Sequence, residues 1–247
     1  MTIPIFIITH DRLEVLKPSF ESFKKINTKI PYEIIFCDNK STYEPLIDWL
    51  KIQEKAGYKV YWNDTKHLFE GIQKSVSRWY KDNDSPYYIF TDPDIELISP
   101  PDILEYYVHL FEKYPKTQVV APLLKIDDIP NHYPAKKMVL TNLHNNYGKQ
   151  KRIEIDWKDE KQKIIFAGVG CTFAMYKKGF IKKKDTSNKC PVISIRTEKP
   201  YDARHLDWYI DPKNMSEDQF RYCKKQEMHT HWGTKHIFKV VQRVNKK

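Results

Sequence analysis

The sequence predicts an α/β fold, a single domain whose mostly parallel central sheet is flanked by helices. Short apolar runs alternate with amphipathic segments in the order β-α-β-α-β-α-β between Ile3 and Leu97. Such alternation builds a parallel sheet with right-handed crossovers. The runs are continuously apolar, as strands covered on both faces must be. Polar clusters close four successive runs: Thr9-His10-Asp11-Arg12, Asp38-Asn39, the loop 63–67 and Asp92-Pro93-Asp94. In open sheets of this kind, ligands sit outside the carboxyl ends of the strands.

The elements follow in order. Residues 3–9 form a buried strand. A helix over 13–25 turns Leu13, Leu16, Phe20 and Phe23 inward, and Pro18, a residue suited to a first turn, points to a later true start. Residues 32–37 are a second buried strand. Residues 43–56 are a helix with Leu46, Trp49, Leu50 and Ile52 inward, closed by Gly57. A third strand spans 58–62. The helix 68–80 places Leu68, Ile72, Val76 and Trp79 on one face. Beyond the fourth strand come a helix over 103–114, ended by Pro115, and a strand over 119–124. Residues 125–163 show little period and predict a long excursion with a hairpin around Tyr147-Gly148. Residues 164–176 predict two strand arms around Gly168 and Gly170, glycines that let a backbone or ligand come close. A basic loop spans 177–190, and 192–195 suits one more strand. Ser216-Glu217-Asp218-Gln219 is a capping box opening a helix to about Lys225.

Composition sets bounds on function. The 247 residues suit one domain, and 40% hydrophobic content is enough for a core. No apolar run approaches the ~20 residues of a spanning helix. The apolar N-terminus lacks a basic leader and a small-residue cleavage site, so it suits a first strand and not a signal peptide. Cys37, Cys171, Cys190 and Cys223 are scattered without a C-x-x-C pair, which points to a reducing cytoplasm and away from zinc. A net charge of +10 favours anionic partners, among them phosphates and, peripherally, an anionic membrane surface.

The chemistry gathers at Tyr87 to Leu97. A strand runs into Thr91-Asp92-Pro93-Asp94, and Pro93 ends it because it has no N–H to donate. Asp92 and Asp94 are thereby held at one tight bend. Paired carboxylates at a strand end suit Mg²⁺ or Mn²⁺, which leave ligand positions open for substrate phosphates. The same dipeptide spacing also suits an ordinary turn.

Taken together, these residues resemble a GT-A-fold, nucleotide-sugar-dependent glycosyltransferase, broadly family-2-like. The resemblance rests on the first strand with its polar turn, on Asp38-Asn39-Lys40-Ser41-Thr42, on Asp92-Pro93-Asp94 as the family's Asp-x-Asp, and on Gly168-Val169-Gly170. It implies a single GT-A-like, Rossmann-type domain, with 1–98 as the nucleotide-sugar-binding half. Residues 99–247 would be the acceptor-binding half with a C-terminal extension. It implies Mn²⁺ or Mg²⁺ bound by Asp94, with Asp92 on the ribose and on the ion through water, and His229 or His231 completing the shell. Asp38 would accept from a uracil N3–H, which favours a UDP-sugar donor, with Asn39 beside it. Thr9 would line the base pocket, and Arg12 and Lys66 would pair with phosphate oxygens. The acceptor would be a hydroxyl of a glycan or glycolipid, and transfer would invert. The family's usual Glu-Asp after the glycine segment is replaced by either His205-Leu206-Asp207 or Ser216-Glu217-Asp218. The base is then Asp207, whose apolar neighbours Leu206 and Trp208 would raise its pKa, or Asp218. Asp211, ahead of Pro212, suits a turn.

Two other classes remain open at the level of sequence. A nucleotidyltransferase or phosphotransferase would use the same acids, although no glycine-rich phosphate loop follows the first strand. A basic nucleic-acid-binding domain without catalysis fits the charge, but no helix carries the expected basic and aromatic pattern, and no specific nucleic-acid partner is expected.

Overall fold

The computed structural model describes residues 1–98, 100–180 and 193–225. The strand at its centre is β1 (Ile3–Thr9), all seven residues of which are buried. Its neighbours are β2 (Tyr32–Asn39) and β4 (Tyr87–Thr91), both parallel to it, and β3 (Lys59–Asn63) lies outside β2, again parallel. The register pairs Thr9 with Asp38, Asn39 with Asn63, and Ile7 with Thr91. The carboxyl ends of all four strands are therefore level, and the polar residues that close them share one rim.

The crossovers are α1 (Leu16–Phe23), α2 (Glu44–Lys55) and α3 (Leu68–Trp79). Pro18 does lie in the first turn of α1, which begins later than the apolar spacing alone suggests. The sheet carries a core on each face. On one, Phe20 of α1, Phe36 of β2, Trp49 of α2 and Tyr58 pack edge to face. On the other, Ile72, Val76 and Trp79 of α3 cover Phe6, Ile8 and Ile35. Offset and edge-to-face ring contacts of this kind add to the apolar burial itself.

The second half extends the same sheet. The remaining elements are β5 (Ile95–Leu97), α4 (Ile103–Lys113), β6 (Val119–Leu124), α5 (Lys136–Leu143), β7 (Ile153–Trp157), β8 (Glu160–Phe166), β9 (Ala174–Lys177), β10 (Ser194–His205) and α6 (Glu217–Lys225). Strand order is β3-β2-β1-β4-β9-β6-β10-β8-β7, with β5 paired to β10. Only β5, β8 and β9 run against the rest, so the described sheet is mostly parallel by direction.

One expectation for this half is corrected and two are made specific. The turn at Tyr147-Gly148 is not a hairpin: α5 runs on into a single π-helical turn, His144–Gly148. Val139 and Leu143, four residues apart, are the buried face of that helix. The hairpin is β7–β8, where Ile153, Ile155 and Trp157 alternate with polar residues and Lys158 turns the chain at φ +52°. The two arms around Gly168 and Gly170 do not pair with each other, because β9 inserts between β4 and β6 while β8 joins β10. Of the strand expected at 192–195, Ser194 and Ile195 open the twelve-residue β10, and residue 192 lies outside the described residues.

Asn39 fastens β2 to α3. It is fully buried, its Oδ1 accepts from Asn63 Nδ2 at 3.0 Å, and a Cβ placed on Gly71 would lie 2.0 Å from that same oxygen. Gly71→Ala therefore destabilises the protein by about 1–3 kcal/mol. Adding Asn39→Ala returns part of the loss, a coupling that urea unfolding of the two single variants and the double variant measures directly.

Candidate functional site

The turn after β1 is built by acids that accept backbone hydrogen bonds. Asp11 adopts φ +52°, a left-handed conformation that Asp tolerates better than most residues. From there its carboxylate accepts from the Thr42 and Tyr43 N–H groups at 2.5 and 2.8 Å and from the Thr42 hydroxyl at 2.9 Å, holding the start of α2. Asp38 accepts from the Ser41 N–H at 3.0 Å and the Ser41 hydroxyl at 2.5 Å, and His10 Nδ1 lies 2.8 Å from the Asn39 carbonyl. Burial pushes the Asp38 carboxyl above its ordinary value, against the pull of the Ser41 bonds.

With the turn fixed, Arg12 reaches across the strand ends. Its Nη1 donates to Asp94 Oδ2 at 3.0 Å and its Nη2 donates to Asp207 Oδ1. All three side chains are buried. Asp94 follows the Pro93 bend as expected. Asp207 arrives by a different route. β10 runs antiparallel to β5, pairing His205 with Ile95, and then turns through a short 3-10 helix, Leu206–Tyr209. The Leu206 N–H donates to the Asp94 carbonyl at 2.7 Å. That bond, continuing the β5–β10 pairing, places His205 and Asp207 beside Asp94.

Asp94, His205 and Asp207 present ligand atoms all within 4.8 Å of one another. His205 Nδ1 stands 3.6 Å from Asp94 Oδ2, and the imidazole stacks on Trp208 with ring centres 5.0 Å apart. Asp94 Oδ1 and His205 Nδ1 are buried and have no hydrogen-bond partner. Buried polar atoms without partners are costly. A buried cluster of two carboxylates and an imidazole, two of whose atoms lack hydrogen-bond partners, suits a divalent cation.

The charges divide unevenly. Burial alone would raise the Asp94 carboxyl, but His205 and Arg12 outweigh it and hold it below the ordinary carboxylate range. Burial wins for Asp207, which stays above that range despite Arg12. Asp92 lies half-buried, and desolvation followed by the charge of Asp94 pushes its carboxyl well up. Desolvation opposes the charge on Arg12, yet Asp207 and Asp94 hold its guanidinium firmly protonated.

The other sequence candidates fall elsewhere. Thr9 is fully buried at the end of β1. Lys66 is exposed on the loop before α3, and Asn39 is enclosed between β2, Asn63 and Gly71. Asp218 accepts from the Leu13 and Glu14 N–H groups at 2.8 and 2.9 Å, and from Ser216 Oγ and the Gln219 N–H. The capping box around it forms, with Ser216 N–H donating to Gln219 Oε1 at 3.1 Å. Asp211 closes a turn with Lys213 and Asn214. His229 and His231 lie outside the described residues. Among the described residues, the histidine that joins the site is His205, which the sequence reading passed over. Its signal was the His205-x-Asp207 spacing at the end of a strand, the same spacing as Asp92-x-Asp94. Residues 167–170, with Asn146, Tyr147 and Gln150, line a separate cleft of about 380 Å³.

The model of glycosyl transferase family 2 matches residues 5–183. Among solved structures, the S. aureus TarS fragment 1–349 aligns over 98% of this chain and 71% of its own, at 13% identity and a TM-score of 0.50. A second TarS structure aligns over 98% and 43% at 13% identity, with a TM-score of 0.49. The mannosyltransferase PcManGT from Pyrobaculum calidifontis, solved with GDP-Man and Mn²⁺, aligns over 51% of this chain and 36% of its own at 12% identity, with a TM-score of 0.40. The chain thus spans about a third of the mannosyltransferase. The TarS likeness is one of fold. No curated protein matches the chain.

Because its oxygens are spent on backbone donors, Asp218 acts as a brace for the Arg12 turn. Asp218→Ala is expected to lower the unfolding free energy by about 1–3 kcal/mol, read as a shift in denaturant midpoint with no ligand present.

Proposed function

The chain belongs to glycosyl transferase family 2, and from that premise we propose that it is a glycosyltransferase that moves a sugar from a nucleoside diphosphate to a hydroxyl of a glycan or glycolipid, with inversion and with help from a divalent cation. Family membership sets aside the phosphotransferase and nucleic-acid-binding alternatives. The observation that carries the metal-dependent reading is the buried convergence of Asp94, His205 and Asp207 at the strand ends, with Asp94 Oδ1 and His205 Nδ1 unpartnered.

In this reading Asp94 and His205 hold the cation, and Asp92 flanks them. His205, which the fold delivers to Asp94 directly, stands beside His229 and His231 as a histidine ligand. When bound, the cation neutralises charge developing on the leaving diphosphate. Arg12 and Lys66 offer further positive charge to the phosphates. Asp38, at the rim beside Thr9, is the acceptor for an imide N–H of uracil. Its two oxygens each take one bond from Ser41 and keep lone pairs to spare, so a UDP-sugar is the favoured donor.

Between the two candidate bases, Asp207 is the better placed. Asp218 already accepts four hydrogen bonds, whereas Asp207 is bound by a side chain that can move. A carboxyl raised by burial is closer to the pKa a general base needs. It would take the proton of the acceptor hydroxyl as that oxygen attacks the anomeric carbon and the diphosphate departs from the opposite side. A single displacement of this kind inverts the anomeric configuration. The cleft beside Gly168 and Tyr147 is the acceptor side in this scheme.

The donor is tested by thermal shift against UDP, GDP, dTDP and CMP with and without Mn²⁺. A ligand that binds only the native state raises the midpoint by mass action. UDP with Mn²⁺ is expected to give the largest rise and Asp94→Ala to abolish it; no rise with any nucleotide would sink the donor assignment. Once a donor is known, Asp207→Asn should lower kcat by about 10²–10⁴ with the donor-induced shift retained. The wild-type product should show the inverted anomer by NMR.

A further inference from the structure

We propose that Arg12 is a built-in counter-cation: its guanidinium engages the carboxylate of Asp94, which with His205 would hold a divalent ion, and so keeps the site's affinity for the free ion low until an anionic ligand draws Arg12 away. The ligand's identity as a nucleoside diphosphate rests on the proposed function; the competition between Arg12 and the ion does not.

The geometry is that of one cation site with an occupant. Asp94, His205 and Asp207 bring their ligand atoms within 4.8 Å of one another. Arg12 bonds two of the three, Asp94 at 3.0 Å and Asp207. The occupant is seated, since the Arg12 Cζ lies 4.2 Å from the centre of the Tyr222 ring on α6. Asp218, on the same helix, binds the N–H groups of the two residues that follow Arg12. The arm and its seat therefore form one unit.

The occupant fits incompletely. Arg12 Nε, Asp94 Oδ1 and His205 Nδ1 are all buried without a hydrogen-bond partner. A compact divalent ion would satisfy the last two, while the guanidinium fork, once released, matches the oxygens of a phosphate. Charge points the same way. Arg12 already offsets part of the charge of Asp94 and Asp207 in a buried site, so a divalent ion entering with Arg12 in place meets like charge out of water and competes for the same carboxylate oxygens, which is unfavourable. A diphosphate supplies the missing negative charge and a new partner for Arg12. Ion and diphosphate must then raise each other's affinity, because such coupling is reciprocal.

The test is Mn²⁺ binding to the full chain without nucleotide, followed by the EPR signal of free Mn²⁺ and by calorimetry. Arg12→Met keeps an apolar stem beneath Tyr222 and removes the charge; it is expected to bind Mn²⁺ at least about tenfold more tightly than the wild type. Arg12→Lys keeps the charge and should bind Mn²⁺ as weakly as the wild type. Adding Asp94→Ala to Arg12→Met should erase the gain. Unchanged or weaker Mn²⁺ binding by folded Arg12→Met overturns the proposal, as does a gain that survives the loss of Asp94. If Arg12→Met does not fold, Tyr222→Leu takes its place: loosening the seat must tighten Mn²⁺ binding, and no change refutes it. Failure of every nucleotide to bind the wild type would remove the donor assignment and leave the Mn²⁺ titrations to decide the role of Arg12.

Discussion

The ion pair of Arg12 with Asp94 and Asp207 is the constraint on which the site depends. These are charges taken out of water, and each is tolerable only while its partner stays in place. Three distant parts of the chain are thereby bound together: the turn after β1, the bend after β4 and the end of β10. Every supporting contact serves this junction. Asp11 fixes the turn to the start of α2, Asp218 ties it to α6, and Tyr222 lies against the guanidinium. The surrounding cores supply the burial that makes those partners obligatory.

Topology explains how acids so far apart in sequence come to face each other. The short β5, running antiparallel to β10, bends the chain after Asp94 back toward it and pairs His205 with Ile95. The loop between β8 and β9 closes the junction from the other side, its Cys171 carbonyl accepting from the Asp92 N–H at 2.8 Å. The Asp92–Asp94 bend is held by backbone bonds on both flanks, and this lets its side chains face a costly electrostatic environment without the chain moving away.

The first half of the fold was legible because its signals are local. Continuous apolar runs, helix periodicity and turn residues each identify an element without reference to the rest, and the level strand ends then bring Thr9, Asp38 and Asp94 to one rim. The second half was less legible because its signals are not local. The insertion of β9 between β4 and β6 is decided by pairing partners far away in sequence. The helix at α5 has only Val139 and Leu143 as a buried face, too few for periodicity to show. Within the site, Asp94 and Asp207 were visible as acids in unusual company. Arg12 was not visible as their partner, since nothing in its neighbourhood distinguishes a phosphate-binding arginine from one paired with acids. His205 was overlooked because its relation to Asp94 exists only through the β5–β10 pairing.

The acids of this chain differ in what completes their hydrogen bonds, and that difference separates framework from site. Asp11, Asp38 and Asp218 are all buried near the strand ends, and each is met by backbone N–H groups and hydroxyls of its own neighbourhood. Such partners cannot leave without unfolding a turn, so for Asp11 and Asp218 the bonds define structure, and only Asp38, with few donors and spare lone pairs, can serve twice. Asp94 and Asp207 are met by a side chain, and Asp94 Oδ1 by nothing. An arginine arm can swing where a backbone amide cannot. The price of keeping two carboxylates exchangeable is a buried, incompletely satisfied cluster, the kind of local instability that folded proteins retain where binding later removes it. By that criterion the exchangeable acids, and not the most numerous or the most buried ones, are those on which the proposed chemistry rests.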